Sequence, residues 1–190
     1  MRDGSARPFE PMPFKAILHF WLEELTDKQH FTKDPALDAD MRARFGDTLE
    51  AAARCELFAW RATPEGRLAE ILVLDQFSRN IFRDTPRAFA QDALALVLAQ
   101  ELVAGGHDQQ LTPKQRAFAY MPYMRSESAL VHAQAVALFS QPGMEDTLRF
   151  ELRHQEIIDR FGRYPHRNAI LGRTPTAEEL AFLSEPGSSF

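Results

Sequence analysis

Apolar residues along this chain recur at intervals of three and four positions, without the strict alternation that is typical of half-buried strands. In the segment after Pro86, for example, Phe89, Ala93, Leu96 and Val97 share one face of a helix. Positions three and four apart fall on the same side of a helical turn, so this spacing predicts amphipathic helices. The predicted fold class is therefore all-α.

Residues that begin helices recur between these stretches. Asp34, Thr85 and Thr112 are each followed by proline, the combination of a capping side chain and a first-turn proline. Thr176 has Glu179 three positions later, which predicts a capping box for a short terminal helix. Helix starts of this kind are distributed along most of the chain.

About eight or nine helices joined by short loops are predicted in this way, with Gly46 expected to interrupt one helix and Ser126 to cap another. Short loops place successive helices antiparallel, as stacked hairpins. Residues 12–190 are predicted to form a single all-α domain, and residues 1–11 a flexible arm that precedes it.

Composition places the chain among ordinary globular proteins. Its 190 residues are 45% hydrophobic and 26% charged, and the net charge is −5 at pH 7. The longest apolar run is too short for a membrane span and the N-terminus lacks a signal-peptide core, so we expect a cytoplasmic protein with no membrane partner. The negative charge disfavours a nucleic-acid partner.

Neither a disulfide framework nor a metal site is expected. Cys55 is the single cysteine, and no two histidines have ligand spacing on one helix. His154 is followed by Gln155 and has Ile158 four positions on, so the HExxH motif of metalloproteases is missing. A phosphate-binding glycine loop and a nucleophile elbow are missing as well. The sequence therefore predicts no metal and no cofactor.

Polar residues interrupt the apolar stripe of the helix that follows Thr63. The stripe in residues 68–72 continues at Asp75 and Arg79, which are four positions apart and can pair on one helix flank. Gln76 and Asn80 form a second polar pair at the same spacing. The segment is either a structural clamp between helix hairpins or the wall of a pocket. In both cases we expect the charged pair to be partly withdrawn from water.

A second polar region lies at the end of the last long helix. His154 shares a face with apolar residues, and is either a hydrogen-bonded core residue or a proton carrier. Residues 153–173 hold five arginines against two acidic residues, a local excess of positive charge in an acidic chain. Arginine binds phosphate and carboxylate groups well, although cations also complement the C-terminus of a helix. The candidate residues here are Arg163, His166, Arg167 and Asn168.

A third polar segment surrounds Glu127. The residue is expected at the start of a helix, where the helix dipole favours a carboxylate. As a site residue it is therefore weakly indicated, and it is kept among the candidate ligand-binding residues.

Three of these segments resemble, in the same order, the bacterial family known as domain of unknown function 924. The resemblance covers residues 17–183 and implies an all-α fold similar to tetratricopeptide-repeat proteins, an α-superhelix of antiparallel hairpins. It implies no catalytic residues. The chain departs from the family pattern at Ser78, where proline is common, and at Arg125, where histidine is common. The segments are residues 72–83 (LVLDQFSRNIFR), 121–128 (MPYMRSES) and 161–173 (FGRYPHRNAILGR).

Two functions of different class follow from these residues. The first is a pocket for a small anionic ligand bearing phosphate or carboxylate, and whether it is catalytic stays open. The second is a non-enzymatic adaptor that receives a peptide or partner protein in a helical groove, which rests on fold analogy alone. If the pocket is present, the three polar segments converge in space. Its candidate catalytic residues are Asp75, His154 and His166, and its candidate ligand-binding residues are Gln76, Arg79, Asn80, Glu127, Arg163, Arg167 and Asn168.

Overall fold

Helices make up the regular structure of residues 12–189, the part of the chain that a computed structural model describes, and no strand occurs among these residues. The predicted all-α class is therefore confirmed. The arm predicted at residues 1–11 lies outside the described residues. Stacking of the hairpins into a tetratricopeptide-like superhelix stays a prediction.

Six helices lie within residues 14–104. They are α1 (Phe14–His19), α2 (Asp27–Phe31), α3 (Pro35–Ala53), α4 (Pro64–Leu72), α5 (Ser78–Ile81) and α6 (Asp92–Ala104). Five more follow, α7 (Pro113–Met124), α8 (Ala129–Phe139), α9 (Glu145–Phe161), α10 (Asn168–Leu171) and α11 (Ala177–Leu183). Short 3₁₀ turns connect several of them, and two π turns extend α1 and α4 over Phe20–Glu24 and Val73–Phe77.

Three predicted helix starts are formed by the expected side chains. Asp34 accepts hydrogen bonds from the first backbone N–H groups of α3. Thr112 and Thr176 form capping boxes with Gln115 and Glu179, in which each side chain bonds the backbone of the other. Such caps occupy N–H groups that have no partner inside the helix.

Helix α3 does not stop at Gly46. It runs unbroken over Pro35–Ala53, with Phe45 and Leu49 buried on either side of the glycine. A glycine in a helix interior costs about 1 kcal/mol relative to alanine, whereas burial of one large apolar side chain contributes about 1.5–3 kcal/mol. Packing therefore outweighs the local preference, and the predicted interruption was wrong.

Two predicted caps are placed differently. Ser128, and not Ser126, precedes α8, and its side chain makes no capping bond. Thr85 precedes only a 3₁₀ turn, Pro86–Phe89, and its hydroxyl donates to a backbone carbonyl three positions earlier. The long helix α6 therefore begins only at Asp92.

Helix α4 forms the centre of the core. Leu68, Ile71 and Leu72 are fully buried, and α1, α6 and α7 all pack against this helix. Because it is surrounded, even its charged residue Glu70 is withdrawn from water and is held by two 2.7 Å hydrogen bonds from Arg61. Helix α4 is therefore fixed in the core, and it supports the π turn Val73–Phe77 that follows it in the chain.

The helices α7, α8 and α9 form two successive hairpins, of which α7 packs against α4. Helix α9 ends at Gly162, whose φ of 69° lies in the left-handed region that glycine adopts readily. The chain then reverses, and Tyr164 packs with Ile157 and Ile158 in a second, smaller apolar cluster. This reversal brings the arginine-rich segment back toward α7. No helix in residues 12–189 is both long and apolar enough to cross a bilayer.

Candidate functional site

Asp75 and Gln76 lie in the π turn Val73–Phe77, between α4 and α5. A π turn adds a residue to a helical turn, and such insertions are frequent at functional sites. Asp75 is 1% exposed and accepts a 2.8 Å hydrogen bond from Nη1 of Arg79, whose side chain is 15% exposed. Gln76 donates to the second carboxylate oxygen of Asp75. Asp75 and Arg79 therefore pair as their spacing of four positions predicts, and both side chains are withdrawn from water.

A second carboxylate joins this pair to the arginine-rich segment. Asp92, the first residue of α6, lies 2.9 Å from Nη1 of Arg79 and accepts a 3.0 Å hydrogen bond from its Nη2. Nη1 of Arg167 donates to the same carboxylate at 3.2 Å. Residues far apart in the chain therefore meet around Asp92, and the expected convergence of polar segments is observed.

Arg125 brings the segment around residues 121–128 to the same place. Its backbone carbonyl accepts a 3.0 Å hydrogen bond from Nη2 of Arg167. Within residues 12–189, its guanidinium forms no hydrogen bond and no ion pair, and its Nε is buried without a partner. The Nε of Arg167, a residue only 5% exposed, is also buried without a partner among these described residues.

The charges of this cluster do not balance. Burial lowers the pKa of Arg79, but Asp75 and Asp92 outweigh burial and the net shift is upward. Burial, and then the charge of Arg79, lower the pKa of Arg167 to about 10. The same two causes lower the pKa of Arg125. Three guanidinium groups therefore share two carboxylates, and Arg125 is the group left without a direct carboxylate contact.

A cavity of about 410 Å³ lies beside Arg125 and Arg167. Most of its wall is apolar and comes from the 3₁₀ turn before α6, from α6 itself and from the end of α7. Pro122, inside α7, contributes its ring to this wall and has no N–H to donate. The lining residues are Pro86, Phe89, Ala90, Asp92, Ala93, Leu96, Pro122, Arg125, Ser126, Glu127, Arg167 and Leu171.

The two candidate proton carriers lie behind the arginines and not in the cavity wall. Their rings pack against Tyr164, with centroids 5.7 Å away for His154 and 5.5 Å for His166. Burial, and then Arg125, lower the pKa of His154 to about 3. Burial, followed by Arg167 and Arg125, lowers the pKa of His166 to about 4. Both imidazoles are therefore neutral at pH 7.

Asn80 and Arg163 form their hydrogen bonds away from the cavity. The amide of Asn80 donates to Asp38 of α3 at 2.9 Å, beside Arg83, which binds the same carboxylate. Arg163 donates to Glu179 of α11 at 2.6 and 2.8 Å. The structure thus uses these two side chains to tie helices together and does not bring them to the cavity.

Glu127 and Asn168 are held by Arg173, which the sequence analysis did not single out. Glu127 accepts 2.7 and 3.0 Å hydrogen bonds from Arg173 and one of 2.8 Å from the backbone N–H of Tyr164. Asn168 accepts from Nε of Arg173 and donates to Glu179. Glu127 lines the cavity, but its charge is already paired.

A buried pair that the sequence analysis missed supports the loop that carries Arg125. Nδ1 of His132 lies 2.6 Å from Oε1 of Glu151, and both side chains are fully buried. Burial raises the pKa of Glu151, against the effect of His132. The other ring nitrogen of His132 lies 2.8 Å from the carbonyl of Ser126. The pair therefore fixes the backbone next to Arg125.

Metal ligands are not clustered in the same way. Within residues 12–189, no group of three or more His, Cys, Asp or Glu side chains is arranged to hold a metal ion. The polar groups that converge at the cavity are guanidinium groups and carboxylates paired with them. Guanidinium groups form charge-assisted hydrogen bonds with carboxylate and phosphate groups in proteins generally.

The fold and this site describe an all-α protein with an arginine-bearing, largely apolar pocket. The chain belongs to a family of bacterial proteins of unknown function, DUF924, whose sequence model matches residues 17–187. The solved structure of a protein of unknown function from Agrobacterium tumefaciens is similar, with 40% sequence identity and a TM-score of 0.85. That match covers 90% of this chain and 96% of the other. The comparison with curated proteins gives no match.

Proposed function

We propose that the protein binds a small anionic ligand in the cavity beside Arg125 and Arg167. The observation that carries this proposal is the guanidinium of Arg125, which lines the cavity without a hydrogen bond or ion pair among the described residues. An unpaired charge that is withdrawn from water is costly, and a bound anion would offset that cost. In a purely structural cluster, an unpaired arginine of this kind would not contribute to stability.

The clamp and the pocket are compatible in this arrangement. Asp75, Arg79 and Asp92 form a chain of ion pairs that ends on Arg167, and Arg167 in turn holds the backbone of Arg125. The clamp therefore positions the groups that bind. Arg79 acts through this positioning, while Arg125 and Arg167 face the ligand.

The proposal is binding, without an assigned proton transfer. General acid–base catalysis works best when the pKa of the catalytic group lies near the operating pH. The pKa values of His154 and His166 are lowered to about 3 and 4, which leaves both groups as weak bases near neutral pH. Their neutral rings pack behind the arginines and add no charge to the pocket.

A second candidate is an adaptor that binds a peptide or protein through exposed apolar side chains. Leu130 of α8 is 75% exposed and Phe150 of α9 is 54% exposed. Exposed apolar residues of this size occur at protein interfaces, although single ones are common on any surface. This function would depend on α8 and α9 and would leave Arg125 without a role.

A thermal-shift screen against carboxylates and phosphate esters tests the first candidate. A ligand at 100 times its Kd stabilises the folded protein by about 2.7 kcal/mol, which raises Tm by roughly 5–10 °C for a chain of this length. We expect the shift to disappear in Arg125→Met and to persist in Arg149→Met, an exposed arginine of α9. An equal shift in both variants would overturn the proposed site. If no anion raises Tm, and a peptide binds the wild type but not Phe150→Ser, the adaptor function is favoured instead.

A further inference from the structure

We infer that the ligand is a monoanion that carries one carboxylate on an apolar body, and not a phosphate monoester. This inference rests on the proposed anion binding and makes its ligand class more specific. It follows from the charge of the cluster, from the donors that are available and from the composition of the cavity wall.

The charge of the pocket matches one negative charge. Around it, the guanidinium groups of Arg79, Arg125 and Arg167 face the carboxylates of Asp75 and Asp92, which leaves one positive charge. The remaining charged groups at the cavity, Glu127 and its partner Arg173, neutralise each other, and the nearby imidazoles are neutral at pH 7. A dianion would leave an uncompensated negative charge in a partly buried site.

The available donors suit one carboxylate. Among the described residues, Arg167 uses one N–H of Nη1 for Asp92 and one of Nη2 for the carbonyl of Arg125, and its Nε is buried without a partner. Arg125 keeps its whole guanidinium, whose parallel N–H groups match the two oxygens of a carboxylate. Asp92 also places a carboxylate in the first turn of α6, which disfavours a second anion at this helix end. The guanidinium of Arg125 can therefore hold one carboxylate, and it is the single net positive charge, rather than the number of donors, that disfavours a phosphate dianion.

The cavity is much larger than a carboxylate group. Its volume of about 410 Å³ lies within the range of small-molecule pockets. Beyond the two arginines, the wall is built by Phe89, Leu96, Pro122 and Leu171 together with smaller apolar residues. Burial of a hydrocarbon chain or ring against such a wall is favourable. The body of the ligand is therefore expected to be apolar.

Four probes of related shape test the inference by calorimetric titration at pH 8: hexanoate, hexyl phosphate, hexanamide and acetate. We expect hexanoate to bind at least about tenfold more tightly than hexyl phosphate and hexanamide. Acetate is expected to be weaker by on the order of a hundredfold, because it buries four methylene groups fewer. Arg125→Met is expected to abolish the preference for hexanoate over hexanamide, and Arg149→Met to leave it unchanged.

The outcomes separate this inference from the proposed function. Tighter binding of hexyl phosphate would overturn the monoanion and leave anion binding intact. Equal binding of hexanoate and hexanamide would show that the site does not recognise charge. That result would overturn both the monocarboxylate inference and the proposed anion binding. If none of the four probes binds while another anion raises Tm in the wider screen, the apolar monocarboxylate is wrong and the anion site stands.

Discussion

Arg125 and Arg79 belong to one cluster but differ in their partners. Arg79 is held between two carboxylates, whereas Arg125 is partly buried, repelled by Arg79 and bonded to no carboxylate of residues 12–189. Replacement of an unpaired buried charge by an apolar residue removes a desolvation cost, whereas removal of a paired charge leaves its partners unpaired. The same substitution at the two positions therefore has opposite effects on stability.

We expect Arg125→Met to raise the free energy of unfolding by about 1–2 kcal/mol and Arg79→Met to lower it by roughly 2–4 kcal/mol. Urea denaturation at pH 7 without ligand measures both. A substitution that raises the stability of the protein and weakens ligand binding is typical of a functional residue. If Arg125→Met is as destabilising as Arg79→Met, Arg125 is a structural residue and the pocket loses its main support.

Spacing predicted part of this cluster. Asp75 and Arg79 could be paired from the sequence because residues four apart meet on a helix. Asp92 could not be singled out, because an acidic residue in the first turn of a helix is ordinary. Its role depends on Arg167, 75 positions later, and no local pattern encodes that contact. His132 and Glu151, 19 positions apart on different helices, were missed for the same reason.

At the scale of helices, the apolar spacing gave the right class but the wrong role for one stripe. Phe89, Ala93 and Leu96 have the spacing of a core-facing helix, yet they line the cavity, and Phe89 precedes the helix. A pocket wall and a core face are both apolar, so periodicity alone cannot separate them. The π turn at Asp75 is likewise invisible in the sequence, because its residues have ordinary helix-forming character.

The terminal helix α11 depends on one buried carboxylate. Glu179 accepts hydrogen bonds from Arg163, from Asn168 and from the backbone N–H of Thr176, so it both caps α11 and ties it to the arginine-rich segment. Glu179→Ala removes all of these hydrogen bonds. We expect this to lower the free energy of local opening of α11 by roughly 1–3 kcal/mol. Hydrogen exchange of the backbone amides in residues 176–185 measures this opening.

The neighbouring residue provides the control. Glu178 lies on the same helix, is exposed and bonds Arg160 on the surface. Glu178→Ala removes an equal charge from the first turn of α11 and is expected to change exchange little, since surface ion pairs contribute about 0–1 kcal/mol. Similar acceleration in both variants would show that α11 responds to charge near its N-terminus and not to the contacts of Glu179.

At the scale of the whole molecule, the site depends on how the chain folds back after α9. The helix class and several helix ends could be predicted because caps and periodicity are local. The meeting of Arg79, Asp92, Arg125 and Arg167 also needs the reversal at Gly162 and the support of α4 by three other helices. Convergence could therefore be anticipated from the polar breaks in the apolar stripes and from the stacking of hairpins, whereas the identity of the converging side chains required the structure.

Burial of neutral histidines makes the stability of the whole fold dependent on pH. Burial lowers the pKa of His30, and burial together with nearby arginines lowers the pKa of His154 to about 3 and of His166 to about 4. In the unfolded chain these rings titrate near pH 6.5. Below that pH the unfolded state binds more protons, so the stabilising contribution is complete above pH 6.5 and is lost as the pH falls toward the folded values.

Between pH 7 and pH 5, we expect His154 and His166 each to lower the free energy of unfolding by roughly 2 kcal/mol, and His154→Gln or His166→Gln to remove that share of the dependence. Urea denaturation at several pH values measures the slope, which stays informative even if a variant is less stable at every pH. Burial is the larger cause of both shifts and Arg125 a smaller one. Arg125→Met is therefore expected to leave the slope between pH 7 and pH 5 nearly unchanged and to reduce the dependence only below pH 5, where the folded rings begin to take up protons. If neither histidine variant changes the slope, these rings take up protons in the folded protein between pH 7 and pH 5. They would then not be neutral side chains packed beside the arginine cluster.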